Sequence, residues 1–246
     1  MLQHRLVAHR GYQKLYPENT LLAMRKAIEA GARYIETDIQ FSADGVPVLY
    51  HDMAMKRLSG VENLIGNLTL AELQALSSHE PDRLGDQFSD EPIATLAQLV
   101  ALLEEHPEVI AFVEIKRSAV QILGLEDTFD KVAACLQPVA EQAVLISFDY
   151  DFMAYAKQRG YPRRGAVLQA WQDLDSEAVR AGDPEFIFCD LEKIPPQADL
   201  GALTPRLVVY EVADPDQAIA LFERGLDMIE TFDIGGLLHA LGRHAL

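Results

Sequence analysis

Several short stretches of this chain hold side chains able to do acid–base or electrostatic chemistry. His9 and Arg10 directly follow the apolar run Leu6-Val7-Ala8, and Glu18 and Asn19 come soon after. Glu36 and Asp38 are two apart, so an extended backbone would point both to one face. His51 and Asp52 are adjacent, and Glu114 and Lys116 are again two apart. Brought together, the carboxylates of Glu36, Asp38 and Glu114 would repel one another unless a counter-ion joined them. A donor set made only of oxygen suits one hard divalent ion, Mg²⁺ or Ca²⁺, with Mn²⁺ also admissible. That ion, with Arg10 and Lys116, would leave the site one net positive charge. A phosphodiester carries the matching single negative charge, and its free oxygens can take a metal and an arginine fork together. His9 and His51 then remain as a general acid and a general base, in either order.

Each piece has a plainer account when taken alone. Alternating acids on a strand are often a solvated face, Glu-x-Lys an intrastrand ion pair, and a lone histidine a core residue. Glu18 and Asn19 could cap a helix as well as serve a site. What tells against the plain accounts is the shared position of these residues at the ends of apolar runs.

Those runs must therefore be strands. They read "RLVAH" (5–9), "YIETDIQF" (34–41), "VIAFVEIK" (109–116), "AVLISF" (143–148), "GAVLQ" (165–169), "FIFCD" (186–190), "RLVVYEV" (206–212) and "DMIET" (227–231). Amphipathic stretches lie between most of them. The clearest is "TLLAMRKAIEAG", with Thr20 or Asn19 as N-cap and Gly31 just past its end. Strands alternating with helices over this length predict an α/β chain folded as a TIM (β/α)₈ barrel, whose chemistry gathers at the C-terminal strand ends. The rival, a doubly wound open sheet, would show a glycine-rich turn after the first strand, and "HRGYQ" is not one. The seventh run adds Tyr210-Glu211 and the eighth Thr231 to the polar strand ends.

Two segments break the alternation. The Asp44-Gly45 pair predicts a hairpin, with Val46 to Tyr50 returning antiparallel. Residues 53–92 hold no strand–helix unit of barrel type. They carry a capping box, Thr69 to Glu72, and an Asp-, Ser- and Gly-rich loop. This reads as an insertion, a cap or lid on a single catalytic barrel spanning 1–246.

Composition bounds the rest. The chain has 246 residues, 49% hydrophobic, and a net charge of −17. So acidic a chain is repelled by nucleic acid and anionic membranes, and needs a local cationic site for an anionic substrate. Its only cysteines, Cys135 and Cys189, have no metal or disulfide spacing, as expected in a reducing compartment. No apolar run approaches the length of a membrane span. A cytoplasmic setting, a small-molecule substrate, no nucleic acid and no stable membrane insertion are the expectations. Oligomeric state stays open.

Taken in order, "AHRG", "PENT", "ETDIQFSADGVPVLYHD", "VEIK" and "ISF" resemble the glycerophosphodiester phosphodiesterase family. "LTLAEL" and "ATLAQLV" fit that family's inserted segment and the helix after it. The resemblance implies a barrel hydrolase that cleaves glycerophosphodiesters to an alcohol and sn-glycerol 3-phosphate with a divalent metal. It implies His9 and His51 as the acid/base pair, and Glu36, Asp38 and Glu114 as metal ligands. Arg10 and Lys116 would bind phosphate, with Glu18, Asn19 and Asp52 completing or orienting the site. The chain departs from the family at Ser42-Ala43, at Tyr210-Glu211-Val212-Ala213 in place of Trp-Thr and Val-Asn, and at "IETFDIGG" near its end. These departures bear on the alcohol or glycerol side. Two other readings compete: a phospholipase- or sphingomyelinase-type barrel acting on lipid head groups, disfavoured by the acidic, polar insertion, and a non-catalytic barrel binding module.

Overall fold

In the computed structural model, which describes residues 2–243, alternation along short apolar runs closes a barrel. The strands are β1 (Leu6–Ala8), β2 (Tyr34–Phe41), β3 (Pro47–Leu49), β4 (Ile110–Ile115), β5 (Ala143–Ser147), β6 (Arg164–Val167), β7 (Phe186–Asp190), β8 (Arg206–Tyr210) and β9 (Met228–Thr231). All but β3 pair in parallel around a ring that β9 closes on β1 and β1 on β2. β2 is long enough to serve two partners along one edge while β4 pairs along the other. Its first residues pair with β1, and Ile39 to Phe41 pair antiparallel with β3. The return strand predicted from Asp44-Gly45 is thus present, and Gly45 takes the positive φ (+75°) that its turn requires.

Period two sorts each strand between two cores. Val7, Phe112, Val144, Phe186, Val208 and Met228 point inward and fill the barrel's floor. Phe112 stacks edge-on against Phe186 and Phe188, both at 4.9 Å between ring centres. Such pairs contribute about 0.5–1.5 kcal/mol each beyond the area they bury. The alternate residues, among them Ile35, Val113, Leu145, Ile187, Val209 and Ile229, face outward into the layer under the helices.

The first helix, Leu21–Glu29, starts where expected. Thr20, not Asn19, is its N-cap, its hydroxyl accepting from the Ala23 amide at 3.1 Å. Gly31 follows the C-cap at φ +106°. The insertion packs Met55, Leu58, Ile65 and Leu73 against Val48, Tyr50 and Ile93 in a small core separate from the barrel's. It includes the capping box of Thr69 and Glu72, which opens the helix Leu70–Leu73. Its polar loop also forms one short helical turn, Pro81–Leu84, started by a proline at the first position. Among the described residues no helix is long and apolar enough to cross a membrane.

Candidate active site

The inward faces carry one more layer above the apolar floor. There Val7 is followed by His9, Phe112 by Glu114, Met228 by Glu230 and Tyr34 by Glu36, each two residues on. These residues line a cavity of about 200 Å³ at the C-terminal strand ends, together with Arg10, His51, Lys116, Ile146, Phe148, Val167, Phe188, Tyr210 and Glu211. A wider hollow of about 630 Å³ adjoins it, sharing His51, Glu114 and Lys116 and adding Asp52 and Arg117.

The turn that delivers His9 and Arg10 is sterically demanding. Arg10 sits at φ +52° and Gly11 at +83°. A side chain on Gly11 would meet the backbone of Ala23 at 2.7 Å, so only glycine fits. The Arg10 amide donates to Glu36 Oε2 at 3.0 Å, which ties the turn to β2. Asn19 is likewise held at positive φ (+56°). Its side-chain NH₂ donates to Asp38 Oδ2 at 2.8 Å, and its carbonyl oxygen accepts from the Asp38 amide at 3.0 Å and the Thr37 hydroxyl at 2.7 Å. Strain of this kind persists only where the surroundings over-determine it; here it fixes one carboxylate.

Asp38 is fully buried and doubly paired, with Lys116 Nζ at 2.6 Å and Arg10 Nε at 3.0 Å. Burial alone would raise its pKa, but Lys116 and Arg10 outweigh burial and hold it below the usual carboxylate range. Lys116 also donates to Glu114 at 2.7 Å. Glu36 lacks such company. Its Oε1 is buried with no partner, and burial together with Asp38, Glu230 and Glu114 pushes its pKa well up.

One carboxyl oxygen from each of Glu36, Asp38 and Glu114 lies within 4.8 Å of the other two. At about 4 Å and an effective dielectric near 20, two like charges repel by roughly 4 kcal/mol. A divalent cation reverses that sign, and the partnerless Oε1 of Glu36 is the donor it would satisfy. The residues therefore fit a hard, oxygen-seeking ion.

Both imidazoles reach the cavity, and each meets a carboxylate. His51 Nδ1 contacts Asp52 Oδ1 at 2.6 Å. His9 Nδ1 lies 2.7 Å from Glu211 Oε1, somewhat off ideal hydrogen-bond alignment. Burial lowers the His9 pKa, but Glu230 and Glu211 more than offset it, so the ring holds its proton above the ordinary histidine range. Asp52 is pulled down despite burial by His51 and Arg57.

The structure brings His9, Arg10, Glu36, His51, Glu114 and Lys116 together on one cavity wall. Asp38 and Asn19 stand just behind it. Glu18 is also buried, held by Arg10 at 2.9 Å, by Gln13 at 2.8 Å and by both terminal nitrogens of Arg57 at 2.9 Å. Three residues escaped sequence reasoning. Arg57 comes from the insertion and bridges Glu18 to Asp52, with Nε at 2.8 Å from Asp52 Oδ2; nothing in "AMKRLSG" marks it. Glu211 stood out only as a polar strand end. Glu230 had a usable signal, because the alternation that turns Met228 inward must turn Glu230 inward too.

Known proteins place this geometry in context. The profile of the glycerophosphoryl diester phosphodiesterase family matches residues 9–185. A glycerophosphodiester phosphodiesterase of Caldanaerobacter subterraneus subsp. tengcongensis is 34% identical over 165 residues, covering 67% of this chain and 66% of that one. Human glycerophosphodiester phosphodiesterase 1 is 40% identical over 106 residues, but the match spans only 43% of this chain and 32% of the human protein. Among solved structures, an Oleispira antarctica phosphodiesterase in complex with the product sn-glycerol-3-phosphate superimposes with a TM-score of 0.84 at 24% identity, covering 97% of this chain and 96% of that one. A glycerophosphoryl diester phosphodiesterase fold from Silicibacter pomeroyi gives 0.83 at 22% identity, with 98% and 94% covered. These two likenesses speak to the barrel, and the sequence matches speak to descent. On the strength of that long match, which starts at His9 and takes in the whole acidic cluster, the chain belongs to the glycerophosphoryl diester phosphodiesterase family.

Proposed function

We propose that this protein hydrolyses glycerophosphodiesters to an alcohol and sn-glycerol 3-phosphate with the help of one divalent metal ion. The observation that carries the reading is the meeting of two imidazoles, two cations and the Glu36–Asp38–Glu114 cluster at one cavity. Glu36, Asp38 and Glu114 would hold the ion, with Mg²⁺, Ca²⁺ or Mn²⁺ matching their oxygens. Bound there, the ion supplies positive charge to a phosphoryl oxygen.

The chain's own groups do the remaining work. Arg10 and Lys116 each spend donors on carboxylates and keep others for phosphate, since a guanidinium has five N–H bonds and an ammonium three. One imidazole takes a proton from the attacking water, and the other gives one to the departing alkoxide. Such proton transfer contributes typically ~10²–10⁴ in rate. Asp52 and Glu211, each on a ring Nδ1, leave Nε2 as the working nitrogen of both histidines.

The substrate is a small molecule, and the free thiols of Cys135 and Cys189 favour a cytoplasmic setting. The decisive experiment is a coupled glycerol 3-phosphate assay over choline, ethanolamine, inositol and bis-glycerol diesters with Mg²⁺, Mn²⁺ or Ca²⁺. Release should stop with chelator and in His9→Ala and His51→Ala. Full turnover by both variants, or a cyclic phosphate as the final product in phosphorus NMR, would overturn the reading.

A further inference from the structure

We propose that His9, Glu36 and Glu230 form a second cation site, which shares Glu36 with the oxygen-only cluster and takes a borderline ion such as Zn²⁺ or Co²⁺. One ligand atom from each of the three lies within 4.8 Å of the others, and all three residues are buried. A cluster of acids alone would mean little. Here, however, Glu230 lines the cavity and is only 3% exposed, and its buried Oε1 has no hydrogen-bond partner. Glu36 Oε1 is in the same condition. Leaving a buried polar atom unpaired costs about 1–3 kcal/mol, and more if it is charged. The first ion would also take Glu36 Oε1, so Glu230 Oε1, beside the imidazole of His9, is the donor left for this site alone.

The donor set also differs in kind from the first. It offers one nitrogen and two carboxylate oxygens, which favours zinc-like ions over Mg²⁺ or Ca²⁺. The surroundings of His9 point the same way. Glu211 sits on Nδ1 at 2.7 Å, so Nε2 is the nitrogen turned toward Glu36, 3.9 Å from its Oε2. A carboxylate on the far nitrogen of a histidine is the usual support of a metal-bound imidazole. Glu211 and Glu230 thereby gain a common purpose that phosphate binding does not give them.

A consequence follows that rests on the proposed acid–base role of His9. An ion on Nε2 occupies the electron pair that His9 needs for proton transfer. The two sites then oppose each other: Mg²⁺ at the first supports turnover, and Zn²⁺ at the second stops it.

The test uses the full chain in saturating Mg²⁺, titrated with Zn²⁺ by calorimetry and checked by elemental analysis. Wild type should bind one equivalent of Zn²⁺, and Glu230→Gln none, while Glu230→Gln still binds one Mg²⁺ and so proves itself folded. Glu211→Gln should keep the equivalent but bind it roughly 10–100-fold more weakly. No Zn²⁺ equivalent in wild type overturns the proposal. An equivalent that survives unchanged in Glu230→Gln means an adventitious ion only and overturns it too. The ion count is read without turnover. A protein that binds both ions yet releases no glycerol 3-phosphate would strike at the proposed hydrolysis and leave this site standing.

Discussion

The half of the mouth built from β9, β1, β2 and β4 carries Glu230, His9, Glu36 and Glu114, whereas the half built from β5 to β8 presents Ile146, Val167, Phe188 and Tyr210. The same alternation lifts both sets to the same layer, yet one half is almost wholly ionisable and the other almost wholly apolar. The difference shows how a barrel makes electrostatics strong. The apolar wall and the aromatic floor of Phe112 and Phe186 keep water and its screening away from the charged half. Every unpaired charge there becomes expensive, which is the condition for recruiting an ion or an anionic substrate.

The division can be broken by mutation. His9→Ala or His51→Ala should lower kcat by about 10²–10⁴-fold with the fold intact by circular dichroism. In the apolar half, Phe188→Ala should cost about 3–5 kcal/mol in denaturant unfolding, while the folded fraction still binds Mg²⁺. A kcat loss in Phe188→Ala as deep as that of the histidine variants, at full folding, would erase the distinction.

A middle-sized effect sharpens the comparison at its edge. Arg57→Ala removes the link between Asp52 and Glu18, so His51 loses the anchor behind its own partner. By analogy with outer-shell partners of metal sites, kcat should fall roughly 10–100-fold while Mg²⁺ affinity changes little. An unchanged kcat would show that His51 is aligned without the insertion.

The smallest effect is in pH-dependent stability. Glu36 is raised, and Glu230 is raised from 4.5 to about 7, by burial and by neighbouring acids. The ion-free folded state therefore binds more protons than the unfolded chain across that interval. Its stability is greatest at the acidic end and declines as pH climbs toward 7. Asp38 has the opposite sign: its contribution is present above the unfolded value of 3.8 and disappears as pH falls below it. Melting temperature without ions should thus drop by a few degrees between pH 5 and 7.5, and saturating Mg²⁺ should restore more at pH 7.5 than at pH 5. A rise in the ion-free melting temperature over that range would contradict the assignment of the polar half as a strained acidic cluster.

Much of this was legible in the residues. Alternation located the barrel strands and the hairpin, because a strand buried on both faces has to declare its inward positions by parity. His9, Glu36, Asp38, His51 and Glu114 were legible for the same reason, as polar residues where parity demands core. Arg57 was not. It lies in a segment with no strand period, and its reach to Glu18 depends on how the insertion folds back. Glu18 and Asn19 were visible as polar residues, but their burial behind Arg10 and Asp38 comes from the left-handed turns at Arg10 and Asn19. No periodicity signals a turn of that kind. Glu230 obeys the parity rule throughout, yet one acid at a strand's end looks ordinary.

The guanidinium of Arg57 makes the insertion a clasp: one side chain from outside the barrel's repeating pattern grips both Glu18 behind β1 and Asp52 beside His51. Under the proposed roles, affinity for the ion and speed of turnover would draw on different modules of the same chain. A barrel pruned of residues 53–92 would retain its carboxylate cradle and forfeit the alignment of one imidazole. Exchanging this segment between relatives would then tune the rate while sparing the ion, provided the arginine travels with it.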